Sequence, residues 1–254
     1  MSTSAITSTP SPRGPRHQQT TQELAPTAHP PWVEEMISDI QPHWNRVLAS
    51  PLFTATAEGE LPVDAWRRTL LDFFCVVEAF PKYMGVTLAK TTFGRYPGDT
   101  LARDWLIGNI RVEAAHARWF LDWAAGYGIT AGEIAEHRPS PQPAAVHEYL
   151  WSIAYRGTLA EAVGAINYAI EGTTGEWSRR VLPAFVRYHG PGSPALTWLE
   201  QHAEYDDAHP REALEIVKSA AGPDERNRVR SAVQRSLELF ARGFEACWHP
   251  DPVR

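Results

Sequence analysis

His202, Asp206 and His209 stand at relative positions i, i+4 and i+7 in Trp198-Leu199-Glu200-Gln201-His202-Ala203-Glu204-Tyr205-Asp206-Asp207-Ala208-His209-Pro210. On an α-helix turning about 100° per residue they fall at about 0°, 40° and −20°, one stripe roughly 60° wide. Two imidazoles and a carboxylate projecting together make half of a metal site. Mixed nitrogen and oxygen donors suit iron or manganese better than structural zinc. Asp207 points about 140° away from His202 and is the internal control.

The other half must come from acids that a helical protein buries. Arg111-Val112-Glu113-Ala114-Ala115-His116 holds Glu113 and His116 at Glu-x-x-His spacing, the unit that di-iron bundles use. Glu78 sits in the apolar run Phe73-Phe74-Cys75-Val76-Val77-Glu78-Ala79-Phe80, and Glu171 follows Ala165-Ile166-Asn167-Tyr168-Ala169-Ile170. Each has an ordinary explanation when taken alone. A Glu–His pair on a surface is solvated, as Glu136-His137 is read here, and a single acid in an apolar run partners a buried Arg or a backbone group.

Energetics join the separate residues. Burying an isolated carboxylate costs several kcal/mol or forces its pKa upward. Glu78, Glu113, Glu171 and Asp206 carry four negative charges, which two Fe(II) ions neutralise. Three histidines and four carboxylates still leave open coordination positions. Open positions favour dioxygen or substrate over a closed structural site.

The elements that carry these residues read as helices. An amphipathic run enters at Leu61-Pro62-Val63-Asp64 and continues to Phe80. Further helices are expected over about 97–126, 143–156, 158–182, 194–221 and 223–247, with Pro210 kinking the fifth. Sustained period-two strand patterns are nearly absent. The expectation is a single all-α bundle with its site between facing helices. Residues 1–31 are rich in Ser, Thr, Pro and Gln and read as a disordered N-terminal tail, ahead of one domain over 32–254. The aromatic residues near the acids, Trp105, Trp119, Trp123, Tyr168, Trp177, Trp198 and Tyr205, read mostly as core packing.

Composition narrows the function. A net charge of −6 argues against a nucleic-acid partner. No apolar run reaches the ~20 residues that span a bilayer, so no membrane insertion is expected. Two cysteines imply no disulfide framework, and with no secretory h-region the expected location is cytoplasmic.

The stretches 102–113, 167–178 and 202–210 resemble the UndA-type medium-chain fatty-acid decarboxylases. These belong to the haem-oxygenase-like di-iron oxidases within the wider TenA/PqqC-like fold. The resemblance covers about residues 32–240 and implies a seven-helix haem-oxygenase-like bundle with two Fe(II) per chain and O2 as co-substrate. It implies a free fatty acid of roughly ten to fourteen carbons, such as lauric acid, converted to a 1-alkene and CO2 by removal of a β-hydrogen. Glu113, His116 and His202 match the ligands of one iron, and Glu78, Glu171, Asp206 and His209 match those completing the pair. No flavin, nicotinamide or iron–sulfur motif is present, so electrons must come from an external donor, ferredoxin or similar.

Three other readings compete. Relatives with the same ligand pattern oxidise other carboxylates or amines. Metal-free TenA-like hydrolases use a cysteine nucleophile, for which Cys75 is the candidate, although a small buried apolar role fits it better. Metal storage without turnover is the weakest, because nothing suggests a cage.

Overall fold

The computed structural model describes residues 24–205 and 208–249. Among them the chain forms twelve α-helices joined by short turns, with no strand, as the patterning predicts. Proline starts several helices. Pro31 opens α1 (Pro31–Leu48), Pro51 opens α2 (Pro51–Ala57), and Pro141 opens α7 (Pro141–Arg156). At a first turn the missing N–H costs nothing, because that donor has no partner inside the helix.

The long helices bury one stripe each. In α3 (Val63–Leu88) Leu70, Phe73, Val76, Phe80, Tyr83 and Met84 face inward at three- and four-residue spacing. In α12 (Arg226–Trp248) Val229, Val233, Leu237, Phe240 and Phe244 do the same. The α12 helix packs against α1, α3 and α7, and Gly243 lets the Phe73 ring lie directly on its backbone. Glu136-His137 departs from the expected solvated pair. The His137 imidazole Nε2 lies 2.6 Å from Asp72 Oδ1, which also accepts from Ser140 N at 3.0 Å. That buried carboxylate on α3 ties down the loop between α6 (Ala131–Glu136) and α7.

The expected seven helices are cut into more pieces, and the cuts fall at the candidate ligands. The helix expected over 97–126 divides into α4 (Asp99–Glu113) and α5 (His116–Ala125), with Ala114 and Ala115 between. The helix expected over 194–221 divides into α10 (Thr197–Tyr205) and α11 (His209–Ala220). Pro210 explains the second cut, since it sits in the first turn of α11 and cannot donate to a preceding turn. The third long helix is continuous but irregular. A capping box between Thr158 and Glu161 starts α8 (Leu159–Val163), a π-helical stretch spans Gly164–Glu171, and α9 (Gly172–His189) carries on.

Part of the expected N-terminal tail is described. Residues 24–30 are non-helical and lie along α11, where Leu24 N donates to Glu212 Oε1 at 3.1 Å and Thr27 N to Glu215 Oε1 at 2.9 Å. The other oxygen of Glu212 accepts from Trp105 Nε1 at 2.8 Å, joining α11 to α4. No described helix is long and apolar enough to cross a membrane.

Gly172 begins α9 where no side chain fits. A Cβ there would lie 2.3 Å from Trp44 Cη2, and Trp44 is held by its Nε1–H donating to Glu176 Oε1 at 3.0 Å. Gly172→Ala is therefore expected to lower unfolding stability by about 1–3 kcal/mol in denaturant melts. Gly85→Ala, inside α3 with open space around it, should raise stability by about 0.5–1 kcal/mol.

Candidate metal centre

The helix cuts and the π stretch deliver five candidate ligands to one buried place. Glu113 ends α4, His116 starts α5, Glu171 ends the π stretch, His202 lies on α10 and His209 starts α11. All five are buried. Ligand atoms of Glu113, Glu171 and His209 lie within 4.8 Å of one another. His116 Nδ1 is 2.6 Å from Glu113 Oε2, and the His116 and His202 rings are 4.7 Å apart at their centroids. His209 Nδ1 lies 3.4 Å from Glu171 Oε2, long for a hydrogen bond.

Two of these side chains are fixed by neighbours. His202 Nδ1 donates to the Trp198 carbonyl at 2.7 Å. A carbonyl only accepts, so the proton sits on Nδ1 and Nε2 keeps its lone pair. Burial, and next the nearby His116, push the His202 pKa well down, which keeps the imidazole neutral. Asn167, one turn before Glu171, donates Nδ2–H to Glu171 Oε1 at 2.6 Å. Among the described residues Glu171 Oε2 receives no hydrogen bond of good geometry. Burial raises the Glu171 pKa most; His209 opposes this, Glu113 adds to it through like charge, and Asn167 opposes it.

These observations test whether a metal fits. Glu113 and Glu171 repel each other in a site that excludes water. Their described ion-pair partners are imidazoles rather than Lys or Arg. Among the described residues an oxygen of Glu171 faces only the His209 imidazole at 3.4 Å, and a nitrogen of His202 offers a lone pair. A divalent cation among them supplies what the protein leaves out, and carboxylate plus imidazole donors suit iron. The residues present fit the metal.

Other sequence candidates fall elsewhere. Glu78 is half-exposed on α3 and pairs with Lys82 one turn on, so the structure does not bring it into the group. The face of α3 that turns toward the site is hydrocarbon, through Phe73, Val76, Val77 and Phe80. The apolar run around Glu78 supplied that wall and left the acid at its edge. Asp206 and its control Asp207 lie outside the described residues. His202 lies on α10 and His209 opens α11, so they reach the site from two helices rather than from one stripe. Cys75 donates weakly to the Asp72 carbonyl, burial raises its pKa to about 11, and it does not line the cavity beside the site. A thiol held protonated is a poor nucleophile. Asn167 was missed by sequence reasoning; its place four residues before Glu171 was the available signal.

That cavity has a volume of about 60 Å³. Glu113, His116, Glu171 and His202 form its charged and imidazole wall, Thr69 and Thr174 add two hydroxyl side chains, and aromatic and aliphatic side chains form the rest. None of its described lining residues is Lys or Arg.

Comparison with known proteins agrees with this geometry. The family described as iron-containing redox enzymes matches residues 67–241. A crystal structure of a TenA homolog from Pseudomonas syringae pv. tomato superposes with a TM-score of 0.83 at 33% identity, covering 89% of this chain and 99% of that one. A domain of unknown function with a heme oxygenase-like fold from Shewanella denitrificans has a TM-score of 0.71 at 18% identity, over 85% of this chain and 91% of that one, a likeness of fold. A 4-aminobenzoate synthase of Chlamydia muridarum is 22% identical over 199 residues, 76% of this chain and 81% of the relative.

Anaerobic Fe(II) loading followed by elemental analysis tests the ligand group. Glu113→Gln, Glu171→Gln, His209→Ala and Asp206→Ala should each lower bound iron substantially, while Glu78→Gln and Asp207→Ala should keep the wild-type content. Loss of iron in Glu78→Gln would return that residue to the ligand set.

Proposed function

The chain belongs to the haem-oxygenase-like family of iron-containing redox enzymes, and from that premise we propose that it is a non-haem di-iron oxidase that decarboxylates a medium-chain fatty acid. The substrate is a free acid of about ten to fourteen carbons, lauric acid for example, and the products are a terminal alkene and CO2. The ligand set is Glu113, His116 and His202 for one iron, with Glu171, Asp206 and His209 for the second. Bound iron supplies the activation of O2.

The observation that carries this reading is a buried carboxylate–imidazole group set in the wall of a mostly apolar cavity. A fatty acid has the complementary form, one anionic end and a hydrocarbon body. With no described Lys or Arg in the cavity wall, the substrate carboxylate has only the cationic centre to meet its charge. Phe73, Phe80, Phe120, Phe240 and Phe244 exclude water and take up the chain at about 0.8 kcal/mol per buried CH2. Neighbouring chain lengths should therefore differ several-fold in affinity. His202 stays neutral and oriented through its bond to Trp198, and Asn167 fixes the rotamer of Glu171.

The electron balance sets a requirement. Loss of a β-hydrogen and CO2 oxidises the acid by two electrons, whereas reduction of O2 to water takes four. The remaining two electrons come from outside the chain, from a ferredoxin or similar donor.

A second reading keeps the centre and changes the substrate. The chlamydial relatives are named for a product with a carboxylate and an aromatic amine, and the Trp123, Trp177 and Trp198 rings beside the cavity would pack against an aromatic body. Iron-loaded protein given O2, a reductant and C10–C14 acids is expected to release 1-alkenes one carbon shorter, detected in the headspace. Full iron content with no alkene from any of these acids would remove the decarboxylase reading. Turnover of an aromatic carboxylate or amine in its place would establish the second.

A further inference from the structure

The tryptophans beside the metal centre form a connected series leading away from it. The Trp198 ring stacks on the His202 ring, with 3.8 Å between centroids. Trp123 stacks on Trp198 at 5.2 Å and 23°, with Trp177 on the same ring at 5.6 Å and 25°. Phe185 lies 5.3 Å from Trp123 and 6.3 Å from Tyr127, and Tyr127 stacks on Tyr188 at 5.6 Å and 17°. Tyr188 is 51% exposed. Aromatic rings in near contact thus run from a candidate iron ligand to solvent.

Packing explains why large rings fill a core, and it does not call for their hydrogen bonding to be incomplete. Among the described residues the buried indole N–H groups of Trp123, Trp177 and Trp198 have no hydrogen-bond partner. Most buried polar groups find one. Trp and Tyr are among the side chains most easily oxidised by one electron. An oxidised indole settles as a neutral radical only when something accepts its N–H proton. Here no described group does, so the electron vacancy stays mobile. At Tyr188 water can accept the phenolic proton, which makes the surface end the resting place.

We propose that Trp198, Trp123 and Tyr188, with Phe185 and Tyr127 filling the gap between the last two, carry oxidising equivalents from the metal centre to the surface when no substrate is present. This rests on the reading that iron meets O2 at the centre. With iron bound and O2 supplied, Trp198 would give up one electron to the centre, which would take one proton from solvent in the same step. Trp123 refills Trp198, and Tyr188 refills Trp123 while giving its phenolic proton to water. The vacancy ends as a neutral phenoxyl radical on Tyr188, which a small thiol repairs by donating a hydrogen atom. Lasting oxidation is thereby moved from the cavity wall, to which Trp198 and Trp123 belong, to the surface.

The test exposes Fe(II)-loaded, substrate-free protein to O2 with a nitroso spin trap, then maps adducts by peptide mass spectrometry and measures iron in the same sample. Tyr155 and Tyr96 are 65% and 57% exposed, more than Tyr188, and serve as internal controls. Several-fold more adduct on Tyr188 than on either control is expected. Trp198→Phe, which keeps the backbone carbonyl that holds His202, should lower the Tyr188 adduct several-fold at unchanged iron content. The surface variant Tyr188→Phe should move oxidation back to Trp123 or Trp198.

Adducts ranked by exposure would mean a diffusing oxidant and would overturn the route. So would labelling of Trp119, whose ring lies 5.1 Å from His116 and offers a shorter exit. Full iron with no adduct on Tyr188 would overturn the route and leave the iron reading standing, whereas failure to bind iron would overturn both.

Discussion

Two carboxylates held close together inside a hydrocarbon core are the constraint around which this protein is organised. Glu113 and Glu171 repel each other, and burial leaves neither enough water to screen that repulsion. Alone, their repulsion would work against the packing of the helices that carry them. Surrounding them with three imidazoles, one fixed with its lone pair free, turns the liability into a site for a divalent cation. A cation bound there would couple to folding, since it would also stabilise the packing of α4, the π stretch and α11 around it.

The backbone irregularities serve that arrangement. A regular helix through Glu113 and His116, or through His202 and His209, would fix the side chains at helical spacing along one axis. Breaking the chain at Ala114–Ala115, and again ahead of His209, lets each ligand approach from its own direction. The π stretch that ends at Glu171 changes the helical register without a break, while Asn167 keeps the i,i+4 place from which it meets Glu171. Side chains that hold these distortions, such as Trp44 over Gly172, have little freedom to change.

Much of the site was legible because buried charge is rare and leaves a sequence trace. Glu171 stands at the end of an apolar run and Glu113 three residues before His116, and the structure brings both to one place. The same logic picked out Glu78, which sits at the edge of an apolar stripe and reaches Lys82 in the next turn. An acid in an apolar run can lie just off the buried face, and a difference of one residue in register decides whether it is inside. His137 shows the converse, because its neighbour Glu136 suggested a solvated pair while a carboxylate 65 positions away holds it.

The sequence by itself determined the all-α character, the order of the helices and most of the polar residues that meet in the core. Helical periodicity and capping are local, and an acid or imidazole within an apolar pattern is visible without coordinates. Only the tertiary structure decided where the helices break, which side of α3 faces the cavity, and how the tryptophans align from His202 toward Tyr188. Those features depend on packing between segments far apart in the chain. There the fit of one side chain against another outweighs the propensity of either segment.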